Sequence, residues 1–528
     1  MRASHANDEA QPQTEDPLGV VDFPVSCSEQ AQAPFNRAVA LLHHMTYTQA
    51  RVAFEAIATS DPHCAMAHWG IAMTLFQPLW PTRPRPEALQ RGWDEVQKAK
   101  TLQPSTERER LFVAAAEAFF LEPASSDYWL RIRRWEPAEQ SVYAAFPDDA
   151  DAAAFYALAL LATAPSNSAS RAHADQAAQI LLRVYQQHPN HPGAMHYLVH
   201  ANDVPGRERE SLDITRKYEM SAPRNAHALH MPTHIYTRLG DWDGVIRGNL
   251  RAAAAALQQP AGQHGEWVSD EFAHAIEYLV YAYLQKGMDD AAATQVQRLR
   301  EMARVEPTFK TAFHRASTQA RYALERRDWN AAILLVPAEP SMPDSPHFPW
   351  PDAITWFAHG LGAAHLEKLD EARAANARIA ELEEAARKSG EDLFARNIQL
   401  LHLELSAWIA HAERQQESSL ALMRQAIELE TSTPKHAVTP GPTLPADELL
   451  GDLLMEQQKA SEALAAYQRS LELYPRRFNS LLGAARAAQA AAETARAHTY
   501  YQQLLEVADG GARQPALTEA RNYLSRGQ

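Results

Sequence analysis

The stretch Pro34 to Pro62 reads PFNRAVALLHHMTYTQARVAFEAIATSDP, and its spacing decides the fold. Ala38, Leu41, Ala50, Phe54 and Pro62 set small, large, small, aromatic and proline residues along a helix–turn–helix of about 34 residues. Small residues let the first helix lie close to the second. The aromatic ring fills the gap between successive units, and proline ends the second helix. Leu444 to Pro475 repeats this register with Leu450, Gly451, Leu454, Ala463, Tyr467 and Pro475. Between the two, Leu239–Trp242, Lys286–Asp289, Arg327–Trp329 and Lys368–Ala372 read as further turns of the same kind.

These residues resemble tetratricopeptide repeats. The resemblance implies an all-α chain wound as a right-handed α-solenoid of helix–turn–helix units. Composition agrees, because 20 glycines among 528 residues are too few for a β-rich or collagen-like chain. The long stretches of Ala, Leu, Glu, Gln and Arg are good helix formers. A fold that grows in one dimension also accommodates so long a chain without separate globular domains. The formal net charge of −15 argues against a sequence-independent nucleic-acid binder and against residence on anionic membranes. No apolar run reaches the roughly 18–20 residues of a membrane helix. Proline-rich segments at 78–86, 337–351 and 434–445 punctuate the chain. The expected layout is a flexible N-terminal tail over 1–30 and a solenoid with a histidine-rich groove over 31–336. Middle helical repeats follow over 337–433, and C-terminal repeats over 434–528.

The chemistry is expected between 188 and 281. His196/His200 and His230/His234 are HxxxH pairs, which place two imidazoles on one helix face. The pairs lie 34 residues apart, so they occupy the same positions of successive first helices; the resemblance to tetratricopeptide repeats implies that these positions line the concave groove. Aligning Gly287 with Gly240 extends the face to His274, Glu277 and Tyr281, opposite His227, His230 and His234. A further shift brings in His314, and Asp203 lies one turn beyond His200. His196, His200, His230, His234 and His274 are therefore the expected ligands of a transition-metal ion. Asp203, His227, Glu277, Tyr281 and His314 are expected in the groove or behind the ligands. Imidazole sets of this kind suit Zn, Cu or Fe. An open coordination position would permit metal-dependent catalysis, with Glu277 as base and Tyr281 near a substrate. The alternative is a scaffold without metal that binds a peptide, a partner protein or a small molecule in the same groove, with histidines as polar contacts. His43, His44, His359, His365 and His411 read as ordinary histidines. Trp69, Met66, Met73 and Trp80 read as an apolar wall. Arg108, Arg110, Arg131, Arg133 and Arg134 read as a solvated basic face, and 434–445 as an inter-repeat loop. No HExxH, GxSxG or P-loop pattern occurs.

Beyond the generic repeat, FPVSC (23–27), FNRAVALLHH (35–44), DPHCAMAHWGIAM (61–73), HPGAMHYLVHA (191–201), ALHMPTHIYTRLGDW (228–242) and TPGPTLPADELLGDLL (439–454) resemble a bacterial family of large tetratricopeptide-repeat proteins. The resemblance covers nearly the whole chain and implies the solenoid, but no particular activity. Members of similar appearance often begin with an export signal. Met1 to Leu18 is polar, so a cytoplasmic location is expected as the sequence stands, and a periplasmic one if a signal was removed. Cys27 and Cys64 are either two buried thiols, as in a cytosolic protein, or a disulfide that pins the N-terminal segment, and export would raise the weight of the disulfide.

Overall fold

The computed structural model describes residues 17–80, 83–125, 127–262, 265–337, 348–508, 511 and 514–526. It is an all-α solenoid of tetratricopeptide-like helix pairs. Each helix packs on the next in sequence, and alternate helices pack on one another along the stack. Examples are Ala150–Ala162 on Pro192–Asn202, Glu271–Gln285 on Phe309–Leu324, and Pro349–His365 on Asp392–Ala412. The small–aromatic pairing expected from sequence is present. A Cβ on Gly451 would lie 2.6 Å from the Tyr467 ring, so glycine is what lets that aromatic seat between helices. One small departure from helix is a two-stranded ribbon, Pro260–Ala261 with Trp267–Val268, between two helices of the histidine region.

The stack curls back on itself. Gly240 ends Pro232–Leu239 with φ +65°, and a Cβ there would meet the Pro475 carbonyl at 2.6 Å. Trp242 donates from Nε1 to the Arg476 carbonyl at 2.9 Å. Arg477 is fully buried and pairs with Glu325 and Glu448 while donating to the Tyr281 hydroxyl at 2.8 Å. The segment 434–445 is not a plain outer loop. Arg321 donates into it at the carbonyls of Gly441 (2.6 Å) and Pro442 (2.7 Å), which seats the segment across the inner face.

The N-terminal region also departs from expectation. Residues 1–16 lie outside the described residues, but Leu18, Val21 and Phe23 are buried in the first core, and a helix begins at Glu29. The part of the expected flexible tail that is described, 17–30, is therefore packed on the core, because these side chains have apolar surface to cover. Cys27 and Cys64 form a disulfide, with Cα atoms 4.7 Å apart, that ties this segment to the start of Ala65–Met73. Trp69 lies against Phe23, Phe35 and Phe112, in core rather than on a groove wall. Arg131 is likewise not solvated. It donates to the carbonyls of Phe119, Leu121, Glu122 and Ser125 at 2.5–3.0 Å and closes the end of Glu107–Phe120.

Candidate metal centre

Four inner helices bring the histidines together. Pro192–Asn202 carries His196 and His200, Ala226–His230 carries His227 and His230, Pro232–Leu239 carries His234, and Glu271–Gln285 carries His274. Pro232 has no N–H to continue the helical ladder, so the HxxxH pair at 230 and 234 spans a break rather than one continuous helix. Its rings still meet, with centroids 4.9 Å apart.

Two triads result. One ring nitrogen each from His196, His200 and His227 lies within 4.8 Å of the other two, and the same holds for His230, His234 and His274. The triads adjoin, with ring centroids 6.2 Å apart for His200–His234 and 6.4 Å for His227–His230. All five expected ligands are thus brought together, and His227, expected behind them, completes the first triad.

The hydrogen bonds behind the rings fix where each proton sits. His196 Nδ1 faces the His43 main-chain carbonyl at 2.6 Å, and an oxygen acceptor there requires an N–H. His227 Nδ1 faces the Glu271 carboxylate at 3.2 Å. His230 Nδ1 faces Asn249 Oδ1 at 2.7 Å, and the Asn249 amide nitrogen is directed to the Val245 carbonyl. His234 Nδ1 faces Asp203 at 2.8 Å. His274 Nδ1 faces His314 Nε2 at 2.9 Å, while His314 Nδ1 faces Glu277 at 2.5 Å. A neutral imidazole has one N–H. With Nδ1 protonated in these five rings, the Nε2 of each presents a lone pair to the centre.

Those lone pairs point at one another. His196 Nε2 lies 3.1 Å from His227 Nε2, and His230 Nε2 lies 3.0 Å from His234 Nε2. The Nε2 atoms of His200 and His274 are buried without a hydrogen-bond partner. Two nitrogens each about 2.1 Å from one ion lie about 3.0 Å apart at a right angle and roughly 3.6 Å apart at 120°. The Nε2 pairs fall at the short end of that range. Burial, with the neighbouring imidazoles, holds His196, His200, His230 and His274 well below the ordinary histidine value, and burial with the Lys435 charge holds His234 down to about 4. A second proton that would turn the contacts into hydrogen bonds is therefore disfavoured for these rings.

Two other clusters lack this feature. In His43/Asp151/His191, both histidines reach Asp151, at 2.9 and 3.2 Å. The remaining nitrogens take Tyr197 and the Ala194 N–H, so every proton and lone pair is used. Burial alone would raise the Asp151 carboxyl, but the His191 and His43 bonds hold it well below its ordinary range. His43 is consequently a buried network residue rather than an ordinary one. In Cys27/Asp61/Cys64 the sulfurs are consumed by the disulfide.

Three sequence expectations change. Glu277 is not free to act as a base, because it accepts from Ser317 at 2.6 Å and Arg321 at 3.0 Å besides His314. Tyr281 turns away to Arg477 and Trp242. Tyr278 takes its place, its hydroxyl 3.3 Å from His234 Nε2 and its ring 4.6 Å from His230. The error lay in register. His230 to His274 and His234 to Tyr278 are both steps of 44, ten more than the 34 of the preceding unit, because the ribbon segment is inserted. Counting back from Gly240 slips across the Pro232 break. Trp80 was also misplaced as a generic wall. It is buried edge-on against His227 (5.7 Å) and His274 (6.0 Å), with Lys310 over its ring. No spacing signal could reveal a loop residue arriving from another unit.

Fold and site together define a helical-repeat solenoid around two histidine triads, buried except for the partly exposed His200. No protein-family model matches the chain, and no curated protein matches it. Among solved structures it is similar to the APC/C hetero-tetramer Cut9–Hcn1, at 13% identity over 94% of this chain and 89% of that one, with a TM-score of 0.35. It is also similar to yeast Tom70, at 12% identity over 94% and 96% of the two chains, with a TM-score of 0.27.

Proposed function

We propose that this solenoid holds two transition-metal ions, one in His196/His200/His227 and one in His230/His234/His274. One observation carries the reading. Paired Nε2 lone pairs sit 3.0–3.1 Å apart on rings whose Nδ1 protons are committed elsewhere. Lone pairs forced together in a dry interior are unfavourable without a cation between them. The carboxylates of Asp203 and Glu271 stand behind His234 and His227, and Glu277 stands behind His314, which in turn backs His274, as outer acceptors do around metal-bound histidines. Neutral imidazoles suit Zn, Cu or Fe. Three protein ligands leave room for water or substrate, so the reading extends to metal-dependent catalysis. A peptide scaffold has less support, because the chain's own 434–445 segment covers the inner face at these histidines. The disulfide supports an oxidising compartment, and so export.

The test is metal quantification on untagged protein. Wild type should hold two ions per chain, and H196A/H227A and H230A/H234A one each, with helical content unchanged. Absence of metal after loading with Zn, Cu or Fe would refute the reading.

A further inference from the structure

Of the six imidazoles, His200 also lines a cavity. A chamber of about 430 Å³ opens beside it, and a second of about 190 Å³ shares His200, Lys435 and His436 in its wall. The His200 ring is partly exposed, while its Nε2 is buried among the other histidines and lacks a partner. The larger volume is that of a small-molecule site.

Its two ends differ in chemistry. Phe313, Trp350, Leu400 and Leu401 form an apolar, partly aromatic wall. At the His200 end stand Lys435 and Arg238, both bonded to Asp203, at 2.6 and 2.8 Å. Two cations against one carboxylate leave that end positive. The Lys435 nitrogen also donates to the Thr439 carbonyl at 3.0 Å and lies 3.5 Å from His234 Nδ1. Glu430, also in the wall, is held by the Ala446 N–H and the Tyr474 hydroxyl, and burial lifts it to about 7.

We propose that this cavity binds a small aromatic carboxylate. Its ring lies on Phe313 and Trp350, and its carboxylate sits beside Lys435 and offers an oxygen to the ion of the His196/His200/His227 set. The inference rests on the metal reading above. It makes the two ions unequal, because His200 of the first set lines the ligand chamber while the second set packs against Tyr278.

The test uses full-length protein loaded with Co(II), with benzoate as probe and cobalt absorption as readout. Benzoate should shift the visible bands saturably at one equivalent per chain. K435M should raise the benzoate Kd by about tenfold or more, as expected for loss of a charge-assisted bond. N397W, which narrows the chamber from a partly exposed position, should abolish the shift while leaving cobalt content intact. Two bound cobalt ions with bands that ignore millimolar benzoate would overturn this inference and leave the metal reading standing. Benzoate binding undiminished by both substitutions would also overturn it. No bound cobalt would overturn both.

Discussion

Asn249 offers the sharpest test of the tautomer argument. It is fully buried and accepts the His230 Nδ1 proton at 2.7 Å. Asn249→Leu keeps the volume but removes the acceptor. If the proton stays on Nδ1, a buried N–H is left unsatisfied, at about 1–3 kcal/mol. If it moves to Nε2, it can bond His234 Nε2 across the existing 3.0 Å contact, for about 1 kcal/mol. The balance thus tilts by roughly 2–4 kcal/mol toward the tautomer that cannot ligate. The ligating population falls about 30-fold or more, and apparent affinity falls with it. The variant should lose the ion of the His230 triad to a chelator at least about 30-fold more readily. The metal-free fold should lose little, because the contact has become a real hydrogen bond. Asn249→Asp, which restores an acceptor, should keep the ion. Imidazole ¹⁵N shifts would report the tautomer directly. Wild-type affinity in Asn249→Leu, or a His230 proton on Nε2 in metal-free wild type, would refute the reasoning.

Three further outcomes are expected. Burial lifts the Glu139 carboxyl to about 8, although the Trp135 indole donates to it at 2.8 Å. The folded state keeps the acid protonated while the unfolded chain ionises above about 4.5, so this stability is present below 4.5 and lost as pH rises through 8. E139Q should therefore gain on wild type by about 4–5 kcal/mol between pH 4.5 and 8 in urea titrations, and a constant difference would contradict this. Opening the Cys27–Cys64 disulfide, which closes a loop of 37 residues, should remove about 3–4 kcal/mol, read as a lower Tm in reductant. An unchanged Tm with both thiols titratable would count against it. Gly240→Ala combines φ +65° with a Cβ that meets the Pro475 carbonyl, and should cost at least about 1–2 kcal/mol in thermal melts. A loss under about 0.5 kcal/mol would mean that the closing contact at 475–477 is loose.

The sequence by itself determined the helix pairs and which stretch of chain carries the clustered histidines. Ala38, Phe54, Gly451 and Tyr467 recur because packing two helices and seating an aromatic between units is a local demand, satisfied within about 34 residues. The 34-residue step between the HxxxH pairs likewise fixed a shared inner face, since a solenoid repeats its geometry with its period. What lay beyond one unit was decided only in three dimensions. Trp80 reaches His227 and His274 from a distant loop, Lys435 reaches Asp203 across more than 200 residues, and Tyr278 rather than Tyr281 faces the histidines. Periodicity cannot register an inserted ribbon, a helix broken at Pro232 or a chain curling back on its own groove. Nor can it say where an imidazole proton sits. The His43 carbonyl, Asn249 and Glu271 settle that, and they become neighbours of these rings only through packing between units.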